Sequence, residues 1–304
     1  MGYLAAKTET VQIGSAILNV YSRTPGALLQ TAAGLDNVSG GRAVIGLGAS
    51  GPQVIEGFHG LPYERPLGRT REVVEILRMG MRREPLEHQG RSFTLPLPPD
   101  QGLGLGKPLK LLNKPERSSV PIWIASLGDK NVEMTAEIAD GWLPFLYYPE
   151  KATDVWGAAL ERGRAKRDPG LGPLQVSTGG LVAIGEGPET KALLDFARPV
   201  YALYVGGMGA KGKNFYNQLA RELGFEKEAE EIQELYLSGR KKEAEALVPL
   251  EWLEAGNLVG PESYVKERIA AFEESGVTHL NVTPAALDTD GQRRIVEQMK
   301  EWVS

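Results

Sequence analysis

The chain contains no cysteine among its 304 residues. Disulfides, thiolate metal sites, iron–sulfur clusters and cysteine nucleophiles are therefore excluded. Histidine is almost as scarce. His59, His88 and His279 stand too far apart in sequence to suggest a metal site, and none is expected. No apolar run approaches the ~20 residues of a membrane-spanning helix. Positive charge is in deficit: 34 basic against 39 acidic side chains leave a net charge of −5. That balance gives no electrostatic footprint for nucleic acid or an anionic membrane. The N-terminal stretch MGYLAAKTETVQIG lacks the basic start and apolar core of a signal peptide, so the cytoplasm is the expected compartment. There is no HExxH, no GxSxG elbow, and no Ser/His/Asp ordering that stands out.

What is present reads as a soluble globular protein, with 42% apolar and 24% charged residues. Short β-like runs alternate with helix-like runs. The strands expected are Val11 to Leu18, RAVIGLG ending at Gly48, PIWIAS at 121–126, DGWLPFL at 140–146, LQVSTGGLVAI at 174–184 and THLNVTP at 278–284. Helices are expected over PGALLQTAAGLDNVS from Pro25, PLGRTREVVEILRMGMRR from Pro66, about Lys130 to Ala139, 150–166, and a long stretch to about Leu253. Strands separated by helices imply a parallel sheet with right-handed crossovers. Six strands satisfy an open doubly wound sheet, whereas a closed eight-stranded barrel needs two more; the pattern alone leaves both open. Residues 85–120 read as a hairpin and loop insertion, with HQGRSFTLPL and a Pro/Gly-rich tract after it. Residues 186–256 read as a helical insertion whose charge runs form a solvated face. The rest is one α/β domain over 1–304.

Two glycine-rich loops invite a nucleotide reading. Gly46-Leu-Gly48-Ala-Ser-Gly51 fits GxGxxG after a strand, but the second strand with its acid ~20 residues on is replaced by the helix-like PLGRTREVVEIL. A tight turn, or glycines making room for a cofactor at a strand end, fits better. Gly207 to Asn214 is a near miss to a P-loop, with Asn214 where the magnesium-binding Ser/Thr belongs. A helix–helix connection, or a loop favouring anions through Lys211 and Lys213, is the better reading. His59 follows the first glycine loop and is more simply structural; His88 is expected to be exposed and His279 structural.

Three motifs together are more specific: GSAILNVYSRTP at 14–25, LDNVSGGRAVIGLGASGPQVIEGFHG at 35–60 and PIWIASLGDKNVEMTAEIADGWLP at 121–144. In this order and spacing the chain resembles the bacterial luciferase-like monooxygenase superfamily, and within it the deazaflavin-dependent oxidoreductases that use coenzyme F-420. ALYVGGMGAKGKNFYNQL and LVGPESYVKERIAAFEESGVTHLNVTP match that branch's C-terminal part. The resemblance implies a TIM (β/α)8 barrel of the luciferase-like type. Relatives begin with a strand, a helix and a second strand before the equivalent of Val11, so the first strand, first helix and second strand, roughly 40–60 residues, are expected to be missing.

The resemblance also implies site residues. A cis peptide between Ala16 and Ile17 would form a bulge behind the cofactor ring, and Asn19 would contact the cofactor. Ala125, Ser126, Leu127 and Gly128 would hold its ribityl-phosphate part, with a helix N-terminus just beyond. Ala49 stands where some relatives carry a glutamate, and no catalytic acid or base is assigned. The implied reaction is hydride transfer between F-420 and a small organic substrate, with the cofactor supplying the chemistry. FMN-dependent monooxygenation and an inert flavin-binding relative are the alternatives. No nucleic-acid or membrane partner is implied, and a homodimer is among the assemblies the superfamily allows.

Overall fold

The computed structural model describes residues 1–303 and divides into two compact units, each an α/β structure with parallel strands. The first unit holds residues 1–126, 130–143 and 162–174; the second holds 127–129, 144–161 and the chain from 175 onward.

In the first unit the strands are β1 (Ile13–Gly14), β2 (Leu18–Asn19), β3 (Ala43–Gly48), β4 (His88–Gln89), β5 (Thr94–Leu95), β6 (Ile122–Ala125) and β7 (Gly141–Leu143). β1 and β2 both pair in parallel with β3, and β3, β6 and β7 follow in parallel order. β3 is buried along its whole length, as a parallel strand covered on both faces must be. The helix Pro25–Ser39 covers it through Leu28, Leu29, Ala32 and Ala33. Thr24 caps that helix by accepting from Ala27 N at 3.2 Å, and Pro25 opens it. The helix Pro66–Met81 adds Val73, Val74 and Leu77 to the same core.

The single strand expected over Val11–Leu18 is broken in two by a bulge. Ile13 faces Ala43, Gly14 faces Val44, Leu18 faces Leu47 and Asn19 faces Gly48. Three residues, Ser15, Ala16 and Ile17, thus span what two, Ile45 and Gly46, span opposite: one residue is surplus. The surplus is absorbed at Ala16, which adopts a left-handed φ of 50°. Its carbonyl drops onto β3, where a Cβ built on Gly46 would lie 1.6 Å from Ala16 O. Ser15 repairs the ladder that the bulge interrupts. Its hydroxyl accepts from Gly46 N at 2.9 Å and donates to Gly46 O at 3.2 Å. Among the described residues the one cis peptide is Leu95–Pro96, so the cis bond implied at Ala16–Ile17 is not found; the positive φ of Ala16 makes the bulge instead.

The LDxxSGGR run proves to be structural. Asp36 is fully buried and accepts from Arg117 N at 2.9 Å and Nε at 2.8 Å, while Arg117 also donates to Ala43 O at 2.7 Å. Gly40, at φ 62°, ends the helix in the left-handed conformation. Arg42 donates to the carbonyls of Ser39, Ala5, Thr8 and Val11 and to the Thr8 hydroxyl, at 2.6–3.0 Å. The run therefore closes the helix, starts β3 and ties down the residues before β1.

β4 and β5 form the expected antiparallel hairpin, anchored by one carboxylate. Glu72 accepts from the amides of Arg91, Ser92 and Phe93 at 2.8–3.1 Å. His88 is not exposed as anticipated; its side chain is 11% accessible and lies 3.4 Å from Glu72. The hairpin folds back over the helix Pro66–Met81 and covers the ring.

In the second unit β8 (Gln175–Ile184) is the spine. It pairs in parallel with β10 (His279–Pro284) along 177–182 and with β9 (Leu258–Gly260) along 182–184. β9 was not anticipated; its three residues are too few to show a period. Gly180 in β8 lets Asn257 approach: a Cβ there would lie 2.5 Å from Asn257 Oδ1, which accepts from Leu181 N at 2.8 Å. The stretch 186–256 is helical as expected, and its charges pair along the surface, as in Lys242–Glu245 at 2.7 Å. Its inner side is aromatic: Trp252, 1% exposed, stacks on Phe225 at 5.5 Å and meets Tyr201 edge-on at 5.1 Å.

Two predictions follow from this packing. Gly46→Ala should destabilise by about 3 kcal/mol or more, because the added methyl meets backbone that cannot move without undoing the bulge. Gly34→Ala, in a helix with nothing within 4 Å of the new Cβ, should instead stabilise, by about 0.5–1 kcal/mol. Urea midpoints of the two variants decide this. The second concerns Glu72. Burial pushes its carboxyl up, but the amides of Phe93, Ser92 and Arg91 and the His88 ring outweigh that and hold it below its usual 4.5. A depressed carboxylate stabilises fully above 4.5 and loses that stabilisation as the pH falls through its folded value. Wild type should therefore melt above Glu72→Gln at neutral pH, and the gap should close as the pH drops below 4.5.

Candidate active site

Parallel α/β sheets place their sites at the C-terminal ends of the strands. In the first unit those ends bring together three of the seven residues implied by resemblance. Ile17 leaves the bulge with its side chain over β3; a Cβ on Gly48 would lie 2.8 Å from Ile17 Cγ2 and 3.6 Å from Ala125 Cβ. Asn19 is the register partner of Gly48. Ile17, Asn19 and Ala125 thus border Gly48, whose missing side chain lets Ile17 pack against β3. Ile17 is 55% exposed, uncommon for an isoleucine rooted in a buried sheet. Asn19 Oδ1 accepts from Tyr21 N at 2.8 Å, which turns its amide NH2 outward.

The GxGxxG glycines are accounted for by this arrangement. Gly46 and Gly48 admit Ala16 and Ile17, and no dinucleotide loop is needed to explain them. Ser126 differs from its neighbours. Its hydroxyl shares a 2.8 Å hydrogen bond with Thr135 and its carbonyl accepts from Trp142 Nε1 at 2.9 Å, so its polar side chain is turned inward.

Beyond β2 lies a group the sequence reading missed. The Arg69 guanidinium sits 4.5 Å from the Tyr21 ring centroid and 4.7 Å from that of Phe93. Tyr63 stacks on Tyr21 at 5.5 Å, and its hydroxyl donates to Ser50 O at 3.0 Å. Burial, with Tyr21 beside it, pushes the Tyr63 phenol up to about 12. Burial also raises Tyr21, partly offset by Arg69. Arg69 makes no ion pair with a carboxylate among the described residues, and its Nε is buried without a partner. Only the pairing of a basic residue with rings far off in sequence could have signalled this cluster, and spacing does not carry that. His59 is half-buried, edge-on to Phe58 at 5.2 Å.

In the second unit Leu127 O accepts from Trp156 Nε1 at 2.9 Å, which fixes the loop. A Cβ on Gly128 would stand 4.0 Å from the Phe215 ring. The helix Asp129–Ile138 starts at the next residue. The P-loop-like segment does not form a phosphate cradle around Asn214. Asn214 Nδ2 donates to the carbonyls of Tyr204 and Val205, both at 2.9 Å, and its Oδ1 caps the helix Phe215–Glu222.

One groove of about 340 Å³ lies elsewhere in the first unit, lined by Arg71, Lys130, Glu133, Glu137 and Lys166 among others. Both of its carboxylates are held in ion pairs: Arg71 pairs with Glu137 at 2.7 Å, and Lys166 and Arg162 hold Glu133 at about 2. Among the described residues no group of acids and histidines is arranged to hold a metal, and no helix is long and apolar enough to cross a membrane.

Comparison with known proteins bears on this geometry. Residues 1–279 match the profile of the luciferase-like monooxygenase family. A Mycobacterium tuberculosis protein, named as an inferred coenzyme F-420-dependent oxidoreductase, is 36% identical over 293 residues, covering 95% of this chain and 83% of its own. Among solved structures, the coenzyme F-420-dependent tetrahydromethanopterin reductase of Methanopyrus kandleri gives a TM-score of 0.75 at 23% identity, over 97% of this chain and 83% of its own. An F-420-dependent secondary alcohol dehydrogenase, solved with an F-420–acetone adduct, gives 0.73 at 19% identity, over 100% and 83%. Likeness at that identity shows the fold, the α/β barrel of the luciferase-like type. With its profile match across most of its length and a relative of 36% identity, the chain belongs to the luciferase-like monooxygenase family.

Proposed function

We propose that this chain is an oxidoreductase that exchanges hydride between coenzyme F-420 and a small organic molecule. The observation that carries the reading is the partly apolar strand-end surface where Ile17, packed on Gly48, meets Asn19 and Ala125, at the C-terminal ends of β2, β3 and β6. Relatives named for F-420 support the choice of cofactor.

The residues present fit a planar, tricyclic ring. Such a ring needs an apolar backing that holds its place, and Gly48 lets Ile17 pack against β3 to supply it. Ile17 would back the ring, its position set by the surplus residue at Ala16. Asn19 would donate from its outward amide. Ser126 would serve through its backbone, since its hydroxyl is committed to Thr135. When bound, the 5-deazaflavin supplies a carbon that accepts or gives up hydride; the protein supplies binding, orientation and exclusion of water.

Fluorescence titration with F-420 and FMN tests this. F-420 should bind at least about tenfold more tightly than FMN, a difference of about 1.4 kcal/mol. Ile17→Asp should weaken F-420 by about tenfold or more, because it sets a charge against an apolar ring face. Preference for reduced FMN with oxygen uptake would replace the reading with monooxygenation. Absence of binding by either cofactor would end it.

A further inference from the structure

The groove of about 340 Å³ in the first unit takes Leu67, Gly68 and Arg71 from the helix Pro66–Met81 and Lys130 and Met134 from the helix Asp129–Ile138. Lys166 also lines it. None of these residues belongs to the strand-end surface around Gly48.

The start of the helix Pro66–Met81 is left open. Its N-cap is Arg65, in the left-handed region at φ 53°; no side chain caps the first turn and no acid stands in it. A helix leaves its first amides without internal partners. Pro66 has no N–H to satisfy, and Arg69 N reaches Arg65 O at 2.8 Å. Leu67 and Gly68 keep their amides, and neither amide bonds to the chain among the described residues. These two residues both line the groove. A Cβ on Gly68 would meet nothing within 4 Å, so the backbone there is open to an incoming group.

The side chains add a positive excess. Arg71, Lys130 and Lys166 stand against two carboxylates, Glu133 and Glu137. Both carboxylates are engaged. Arg71 grips Glu137 through two bonds, at 2.9 and 2.7 Å, and Glu133 is shared by Lys166 and Arg162. Lys130 is exposed and pairs with no acid among the described residues. This local excess occurs in a chain whose net charge is −5.

The donors left over decide the ligand. A carboxylate is matched best by an open guanidinium fork, and the one fork here is closed on Glu137. What stays free is an ammonium and two backbone amides at a helix start. That set suits a phosphate, which takes point charges and helix-terminal amides from several directions. Leu67 and Met134 supply an apolar stretch beside it.

We propose that this groove binds a small organic phosphate. The phosphate meets the Leu67 and Gly68 amides and Lys130, and the apolar body lies along Leu67 and Met134. The site is separate from the hydride-transfer surface, and its binding does not rest on the oxidoreductase reading.

Calorimetry on the full chain tests this, with phenyl phosphate as probe and phenol as the neutral control. Saturable binding of phenyl phosphate is expected, and none of phenol. Lys130→Gln should weaken phenyl phosphate about tenfold by removing the groove's unpaired cation, and Lys130→Arg should restore most of that affinity. Gly68→Leu separates binding from folding. Its Cβ meets no protein atom and it replaces a helical glycine, so the variant should melt above wild type while losing about tenfold or more in affinity. Saturating F-420 should leave phenyl phosphate bound. Absence of saturable binding, or unchanged affinity in Lys130→Gln and Gly68→Leu, would overturn the proposal. Displacement of the probe by F-420 would overturn it as well, by making the groove part of the cofactor's own site.

Discussion

The first unit depends on one steric fact: Gly46 has no side chain, so the Ala16 carbonyl can occupy the space where one would be. Everything at the ends of β2 and β3 follows from that. The surplus residue shifts Ile17 out of the ladder and onto Gly48. It changes register by one, so side chains after the bulge face opposite to those they would face in an uninterrupted strand. Without it Ile17 would not lie over Gly48 at the strand end. Ser15 keeps the cost small, because its hydroxyl replaces both backbone bonds the bulge breaks at Gly46.

A good deal of this was legible in the amino-acid sequence. The helix from Pro25 carries its cap, its apolar stripe and its terminating glycine between Thr24 and Gly40, and it forms over Pro25–Ser39 as read. Helices, hairpin and most strands are local decisions, made by periodicity and by Gly and Pro. The resemblance to luciferase-like proteins supplied the barrel, which the strand count left open. What stayed hidden is non-local. β9 is three residues long and owes its state to β8. The cation held between Tyr21 and Phe93 joins residues 48 and 24 positions from Arg69. The Ala16 bulge was anticipated in place but not in kind, since a single left-handed alanine serves where a cis bond was implied.

Motifs that looked functional and motifs that are structural exchange places in this protein. LDxxSGGR carries much of the resemblance, yet its charged members are structural: Asp36 holds Arg117, and Arg42 bonds the backbone of the turn after the helix and of the residues before β1. The near P-loop failed at Asn214, the residue that then turns out to organise its surroundings most strongly. Both cases have the same cause. A polar side chain buried beside freed backbone groups is constrained by every bond it makes, so few residue types can replace it.

The anchoring by Asn214 has a consequence for how this surface could diversify. Its side-chain amide bonds the carbonyls of Tyr204 and Val205 before the loop 208–213 and the amides of Tyr216 and Asn217 after it, so one side chain staples the two ends of the loop together. Gly209 lies against that staple: a Cβ there would come 2.7 Å from both Asn214 Cα and Cβ. Charge can change along the exposed residues 210–213 without touching the staple, whereas any side chain at position 209 would push on it.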